Sequence, residues 1–145
     1  MRIRAFFRSA AFFAMLGPCA PGSTFAQESS KPAAATKDAS SQSVTPDQAE
    51  KLLRDKKEVV ILDVRTPDEF KAGHIAGAKN VSLIDSDFEQ KLKAYEGKPV
   101  LVHCGSGARS ARALIKMADL QFPQVYHMDA GMKGWLAAGK PVVKE

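Results

Sequence analysis

Residues 98–120 read KPVLVHCGSGARSARALIKMADL, and the reading of this stretch decides the fold. Val100, Leu101 and Val102 form an unbroken apolar run without polar alternation, the pattern of a strand buried on both faces. KPVLVHC is therefore predicted as a strand. ARSARALIKMADL follows as a helix, because Ala111, Leu114, Ile115 and Ala118 fall at i, i+3, i+4 and i+7 and would form one apolar face. Gly105 and Gly107 separate the two periods. A doubly buried strand that runs directly into a helix is a unit of a parallel sheet covered on both sides. In open sheets of this kind ligands bind beyond the carboxyl ends of the strands, where loops enter helices. Cys104 stands at that point.

The same alternation extends in both directions. VVILDV (59–64) is a second apolar run, rich in β-branched residues. Before it, TPDQAEKLLRDKK opens with Thr45 as N-cap, Pro46 at the first helical position and Gln48 three residues after the cap, a capping box. After it, TPDEFKAG repeats the device with Thr66 and Glu69 and stops at Gly73. AKNVSL (78–83) reads as a short strand, SDFEQKLKAY (86–95) as a helix capped by Ser86, QVYHM (124–128) as a strand and GMKGWLAAG (131–139) as a closing helix. Strands alternating with helices give an α/β class with a mostly parallel sheet flanked by helices on both faces. No internal repeat is found.

The first residues belong to a different class of sequence. Residues 1–8 carry three arginines and no acid, and the apolar SAAFFAMLGPCA behind them is too short to span a bilayer. Residues 1–26 read as a secretory signal cleaved after Ala26, with Thr24 and Ala26 as the small residues of the site. An uncleaved membrane anchor or a lipid on Cys19 are the alternatives. Residues 27–43, QESSKPAAATKDASSQS, contain no large apolar side chain and read as a flexible linker. The folded domain is expected over 44–145. Loss of the leader removes three of the 21 basic residues and no acid, leaving 18 against 16 acidic. The overall charge of +5 is thus largely a leader property, and no basic stripe interleaved with aromatics points to nucleic acid. The mature form is expected to be exported, in the periplasm of a two-membrane bacterium, and not embedded in a membrane.

Of the two cysteines, Cys104 alone remains in the mature chain. It can form no internal disulfide and no cysteine zinc site, which leaves a buried structural cysteine, intermolecular pairing or a working thiol. Its surroundings favour the last. Gly105 and Gly107 let successive amides turn inward as an anion-binding nest, the following helix adds its N-terminal partial charge, and Arg109 adds a full one. A thiol at its ordinary pKa of about 8.5 is only about 3% ionised at neutral pH, and such a setting raises that fraction.

Three separated segments, LDVRTPDEFKAGHIAGAKNVSL (62–83), VHCGSGARSARA (102–113) and DAGMKGWLAAGKPV (129–142), together resemble a single-domain rhodanese, a sulfurtransferase module. The resemblance implies a three-layer rhodanese-like fold and a sulfurtransferase in which the Cys104 thiolate takes a sulfane sulfur from a small anionic donor such as thiosulfate. A Cys104 persulfide would then pass that sulfur to cyanide, a thiol or a sulfur-accepting protein. The substrate loop would comprise Gly105, Ser106, Gly107, Ala108 and Arg109, with no metal and no organic cofactor. Asp63 and Arg65, at the end of the first apolar strand, would either orient the loop or form a buried ion pair, with Glu69 as a further member. His103 precedes the nucleophile along a strand, points to the opposite face and is expected to pack rather than act as a base. His74 is expected to be architectural, Trp135 to join the core with Met132, and Ser106 to offer either its amide or its hydroxyl.

Two other functions are compatible with a cysteine loop: a redox or non-catalytic sulfur-binding module, and an oxyanion phosphatase or arsenate reductase. The related phosphatases have five residues between cysteine and arginine, whereas four separate Cys104 from Arg109. The donor signal is divided. CGSG resembles the mercaptopyruvate-using branch, yet Ala108 and Arg109 follow it as in many thiosulfate-using proteins, so weak thiosulfate activity dependent on Arg109 is expected.

Overall fold

The computed structural model of the chain describes residues 41–145. The signal expected over 1–26 and all of the linker expected over 27–43 except Ser41–Ser43 lie outside the described residues. Ten elements follow in order: β1 (Ser41–Ser43), α1 (Pro46–Asp55), β2 (Val60–Asp63), α2 (Pro67–Ala72), β3 (Lys79–Asn80), α3 (Phe88–Lys93), β4 (Val100–His103), α4 (Ala108–Asp119), β5 (Val125–His127) and α5 (Gly131–Ala137). The strands form one sheet in the order β1-β5-β4-β2-β3, and every adjacent pair is parallel. The α/β architecture read from the sequence is the one observed.

The unbroken apolar strands sit at its centre because both of their faces are covered. Ile61 of β2 and Leu101 of β4 join Ala49, Phe70, Met132 and Trp135 in one core cluster. Leu62, Val100 and Val102 join Phe88, Leu92, Ala113 and Met117 in another, and Cys104 belongs to this second cluster. Both capping boxes form as the sequence requires: Gln48 N donates to Thr45 Oγ1 at 3.3 Å, and Thr45 N donates to Gln48 Oε1 at 2.9 Å.

Four local expectations need correction. Ser41–Ser43 is an edge strand paired with β5, so the ordered sheet begins before Val44; an edge ladder uses backbone groups and needs no apolar side chain, and all three residues are exposed. Helix α3 starts at Phe88 with Asp87, not Ser86, at its N-cap, and no side chain caps it. Asp85 and Asp87 instead pair with Lys91 at 2.7 and 3.0 Å. AKNVSL supplies only Lys79–Asn80 to the ladder, although Val81 N and Leu83 N still donate to Asp63 O and Val64 O. On α4 the buried positions are Ser110, Ala113 and Met117, while Ile115 is 64% exposed. The helix is rotated because Ser110 is anchored inward by its hydroxyl, which donates toward Gly107 O at 2.9 Å.

Asp63 and Arg65 form the buried ion pair anticipated as one of their two roles, without Glu69. Arg65 Nε and Nη2 donate to Asp63 Oδ2 at 2.9 and 2.6 Å, and Nη2 reaches on to Gly73 O at 2.8 Å. The pair thus ties the end of β2 to the end of α2, and Asn80 Nδ2 ties it to β3 by donating to the backbone carbonyls of Asp63 and Arg65. Removing one partner strands the other charge in the interior. Arg65→Met is expected to lower the unfolding free energy in urea by about 3–5 kcal/mol, and Asp63→Leu/Arg65→Met to recover most of that loss.

Candidate active site

Strand β4 delivers Cys104 to the carboxyl edge of the sheet, and residues 104–107 turn the chain into α4. Gly107 makes the turn at φ +89, and a Cβ there would lie 2.0 Å from Asp129 O. Only a glycine fits that approach. Gly131 closes the other side at φ +58, where a Cβ would meet Cys104 O at 2.6 Å. With both side chains absent, Met132 N donates to Cys104 O at 2.7 Å and Lys133 N to Gly105 O at 3.0 Å. The loop carbonyls are thereby drawn back toward α5, and its amides are left to face the sulfur.

Cys104 is 1% exposed. Gly107 N donates to its Sγ at 3.1 Å, and the Ser110 hydroxyl lies 3.5 Å from Sγ. Burial pushes the thiol pKa up, but hydrogen bonds from the Ser110 hydroxyl and from the Ser110, Ser106 and Arg109 amides outweigh it, so the net value falls below the ordinary one. The helix end of α4 contributes through the Arg109 and Ser110 amides, first-turn N–H groups without a partner inside the helix. The thiolate is therefore a larger fraction of Cys104 than of an ordinary cysteine.

Among the loop residues of the sequence reading, Gly105, Ser106 and Gly107 lie in the turn and Ala108 opens α4, with Ser106 and Ala108 exposed. Arg109 does not stand free. Its Nη1 and Nη2 donate to Glu69 Oε2 and Oε1 at 2.6 and 2.8 Å, a bidentate pair. Glu69, one candidate member of the Asp63–Arg65 pair, turns to Arg109 instead, from its place in the Thr66 capping box. Thr66 N and Oγ1 both donate to the same Glu69 Oε2, at 3.2 and 3.0 Å. The guanidinium lies across Gly105, where a Cβ would come within 3.2 Å of Arg109 Nη2. A cleft of about 330 Å³ adjoins Glu69, with Met132, Leu136 and Val142 as its apolar wall.

His103 lies on the far face of the sheet, as its place in β4 implies, and is 0% exposed. Burial lowers its pKa, opposed by Asp63, and its Nε2 has no hydrogen-bond partner. His74 stacks on Phe70 and its Nδ1 lies 3.0 Å from Phe70 O, an architectural role. Trp135 is in the core and donates from Nε1 to Pro141 O at 2.9 Å. Sequence reasoning missed Ser110 and His127, whose Oγ and Nε2 lie 2.9 Å apart beside Cys104. The signal for Ser110 was present, since a serine three residues into a helix after a glycine turn faces back toward the loop. For His127, on a separate strand, the sequence held none. Among the described residues no three His, Cys, Asp or Glu side chains gather as a metal-binding group.

The family model described as Rhodanese-like domain matches residues 45–138. The thiosulfate sulfurtransferase GlpE of Pseudoalteromonas translucida is 35% identical over 86 residues, covering 59% of this chain and 81% of its own. The crystal structure of a rhodanese-related protein from Thermoplasma volcanium matches with a TM-score of 0.63 and 30% identity, over 72% of this chain and 99% of that one. The polysulfide-sulfur transferase homodimer of Wolinella succinogenes matches with a TM-score of 0.59 and 32% identity, over 72% of this chain and 79% of that one.

The Glu69–Arg109 pair has a pH signature. Hydrogen bonding from Arg109, against the opposing effect of burial, lowers the Glu69 carboxyl from 4.5 to about 2. A depressed carboxyl stabilises the fold above its ordinary pKa, and that contribution is lost as the pH falls through the folded value. The Glu69 side chain is 40% exposed, so water screens the pair and keeps the contribution small. Wild type is expected to melt above Glu69→Gln at pH near 6, and the two melting temperatures to converge as the pH falls from about 4.5 toward about 2.

Proposed function

Because the chain belongs to the rhodanese-like domain family, we propose that it is a sulfurtransferase whose Cys104 carries the sulfur. The observation that carries the reading is the donor shell of Cys104, led by Gly107 N at 3.1 Å from Sγ. The thiolate attacks the outer sulfur of thiosulfate; the sulfur–sulfur bond of the donor breaks and sulfite leaves with the bonding electrons. Cys104 then holds a persulfide anion, which the loop amides face as they faced the thiolate. An acceptor such as cyanide attacks the terminal sulfur, leaves as thiocyanate and returns the thiolate. A thiol, or a cysteine on an acceptor protein, takes the sulfur by the same displacement. The relatives with thiosulfate and polysulfide sulfur transfer in their names support this chemistry. With residues 1–26 as an export signal, the transfer takes place outside the cytoplasm.

Arg109 gives the anionic donor its cationic contact, but Glu69 already holds both of its outer nitrogens. The donor must therefore compete with a carboxylate, and thiosulfate is used weakly. No such competition affects the attack itself, which depends on the thiolate.

Cys104→Ser is expected to keep the fold and lose sulfur transfer from thiosulfate to cyanide altogether, because a hydroxyl keeps the shape without the nucleophile. Arg109→Ala is expected to lose roughly 10-fold or more in kcat/KM for thiosulfate, about 1.4 kcal/mol of transition-state binding. Turnover retained by Cys104→Ser contradicts the assignment. A strong preference for 3-mercaptopyruvate that ignores the loss of Arg109 contradicts the choice of donor.

A further inference from the structure

Ser110 and His127 extend the sulfur's surroundings into the protein. Ser110 Oγ lies 3.5 Å from Cys104 Sγ, 2.9 Å from Gly107 O and 2.9 Å from His127 Nε2. Cys104, Ser110 and His127 are 1%, 0% and 7% exposed, so water does not readily replace any of these partners. A hydroxyl has one hydrogen to give and lone pairs that accept. Of its three neighbours, a carbonyl oxygen and a thiolate can only accept. These two share the hydroxyl's one hydrogen, so the ring nitrogen is the only neighbour able to donate to the Ser110 oxygen, which assigns His127 the Nε2–H tautomer from the hydrogen-bond network. With that N–H on its lone pair, the Ser110 hydroxyl cannot turn its hydrogen toward His127, and the hydrogen stays on the side of the loop and the sulfur.

We propose that His127 is a positioning residue for the sulfur-carrying thiolate: its Nε2–H holds the Ser110 hydroxyl as a donor to the Cys104 loop. This rests on the reading of Cys104 as the reactive thiol. Burial favours the neutral ring, opposed by Asp129 and by the Gly107 carbonyl. A neutral imidazole has a single ring hydrogen, so its tautomer decides which way Ser110 points. The charged groups bearing on this chain are Asp129, just beyond β5, and Arg109, whose charge acts on Cys104. The neighbouring strands place Ser43 and Val102, both uncharged, opposite His127.

The test is the pH profile of Cys104 alkylation by iodoacetamide in the full chain, with peptide masses separating Cys104 from Cys19. His127→Phe is expected to react about fivefold more slowly near neutral pH and to match wild type at strongly alkaline pH, where the thiol ionises without help. His127→Gln, whose side-chain amide reaches the position of Nε2, is expected to restore the wild-type profile. In a Ser110→Ala background, His127→Phe should change nothing further. If His127→Phe does not fold, as read by circular dichroism, His127→Asn replaces it with the same expectation, since its amide is too short to reach Ser110. A wild-type profile in the Phe or Asn variant overturns the proposal, as does a Gln variant no better than Phe, or an undiminished effect without Ser110. Alkylation needs no sulfur donor, so failure of sulfur loading would count against the proposed function and leave this profile to be judged separately.

Discussion

A sulfur that is 1% exposed can hold negative charge only if donors inside the protein replace the water it has lost. That requirement organises the carboxyl edge of the sheet. The donors are backbone amides, and amides can converge on one atom only where the chain turns tightly. Gly107 supplies the turn and Gly131 lets the next βα connection press against it. The contact between them is backbone on backbone, so no side-chain rearrangement can relieve a Cβ at either place. Two consecutive βα connections are thus locked together around Cys104, with Met132 N and Lys133 N holding the loop carbonyls away from the sulfur.

Around this core stands a layer of ion pairs that differ in character. Asp63 and Arg65 are buried, and Arg65 reaches on to the Gly73 carbonyl at the end of α2, while Asn80 of β3 holds the backbone carbonyls of the same two residues. Glu69 and Arg109 are partly exposed, and their side chains can separate at modest cost in water. Glu69 also serves as the third residue of a capping box, so the start of α2 and the cationic group at the mouth of the loop share one carboxylate. An anion that draws Arg109 away leaves Glu69 still held by Thr66. The start of α2 therefore stays capped when the Glu69–Arg109 pair opens.

The elements were legible in the sequence where their causes are local. Two Thr-Pro starts with Gln48 and Glu69 in place announced α1 and α2, and the unbroken apolar runs announced β2 and β4 as doubly covered strands. Cys104 was legible because its glycines and its place at a strand end are sequence features. The misreadings arose where distant partners decide. The inward face of α4 is set by Ser110, a polar residue that hydropathy periodicity assigns to solvent. Edge strand β1 has no apolar signal because its register comes from the β5 backbone. Glu69 reaches Arg109 across 40 residues and His127 reaches Ser110 across 17, and neither pairing leaves a mark in spacing.

If the amide cradle lets Cys104 carry a sulfur atom, mass spectrometry of the wild-type chain shows it directly. The protein is incubated with thiosulfate, its mass is read, and the loaded form is then treated with cyanide. The expected result is a gain equal to one sulfur atom, located on the peptide that contains Cys104 and removed by cyanide. A chain that stays unmodified with thiosulfate, 3-mercaptopyruvate and polysulfide alike, or that carries the added sulfur only on Cys19, contradicts it.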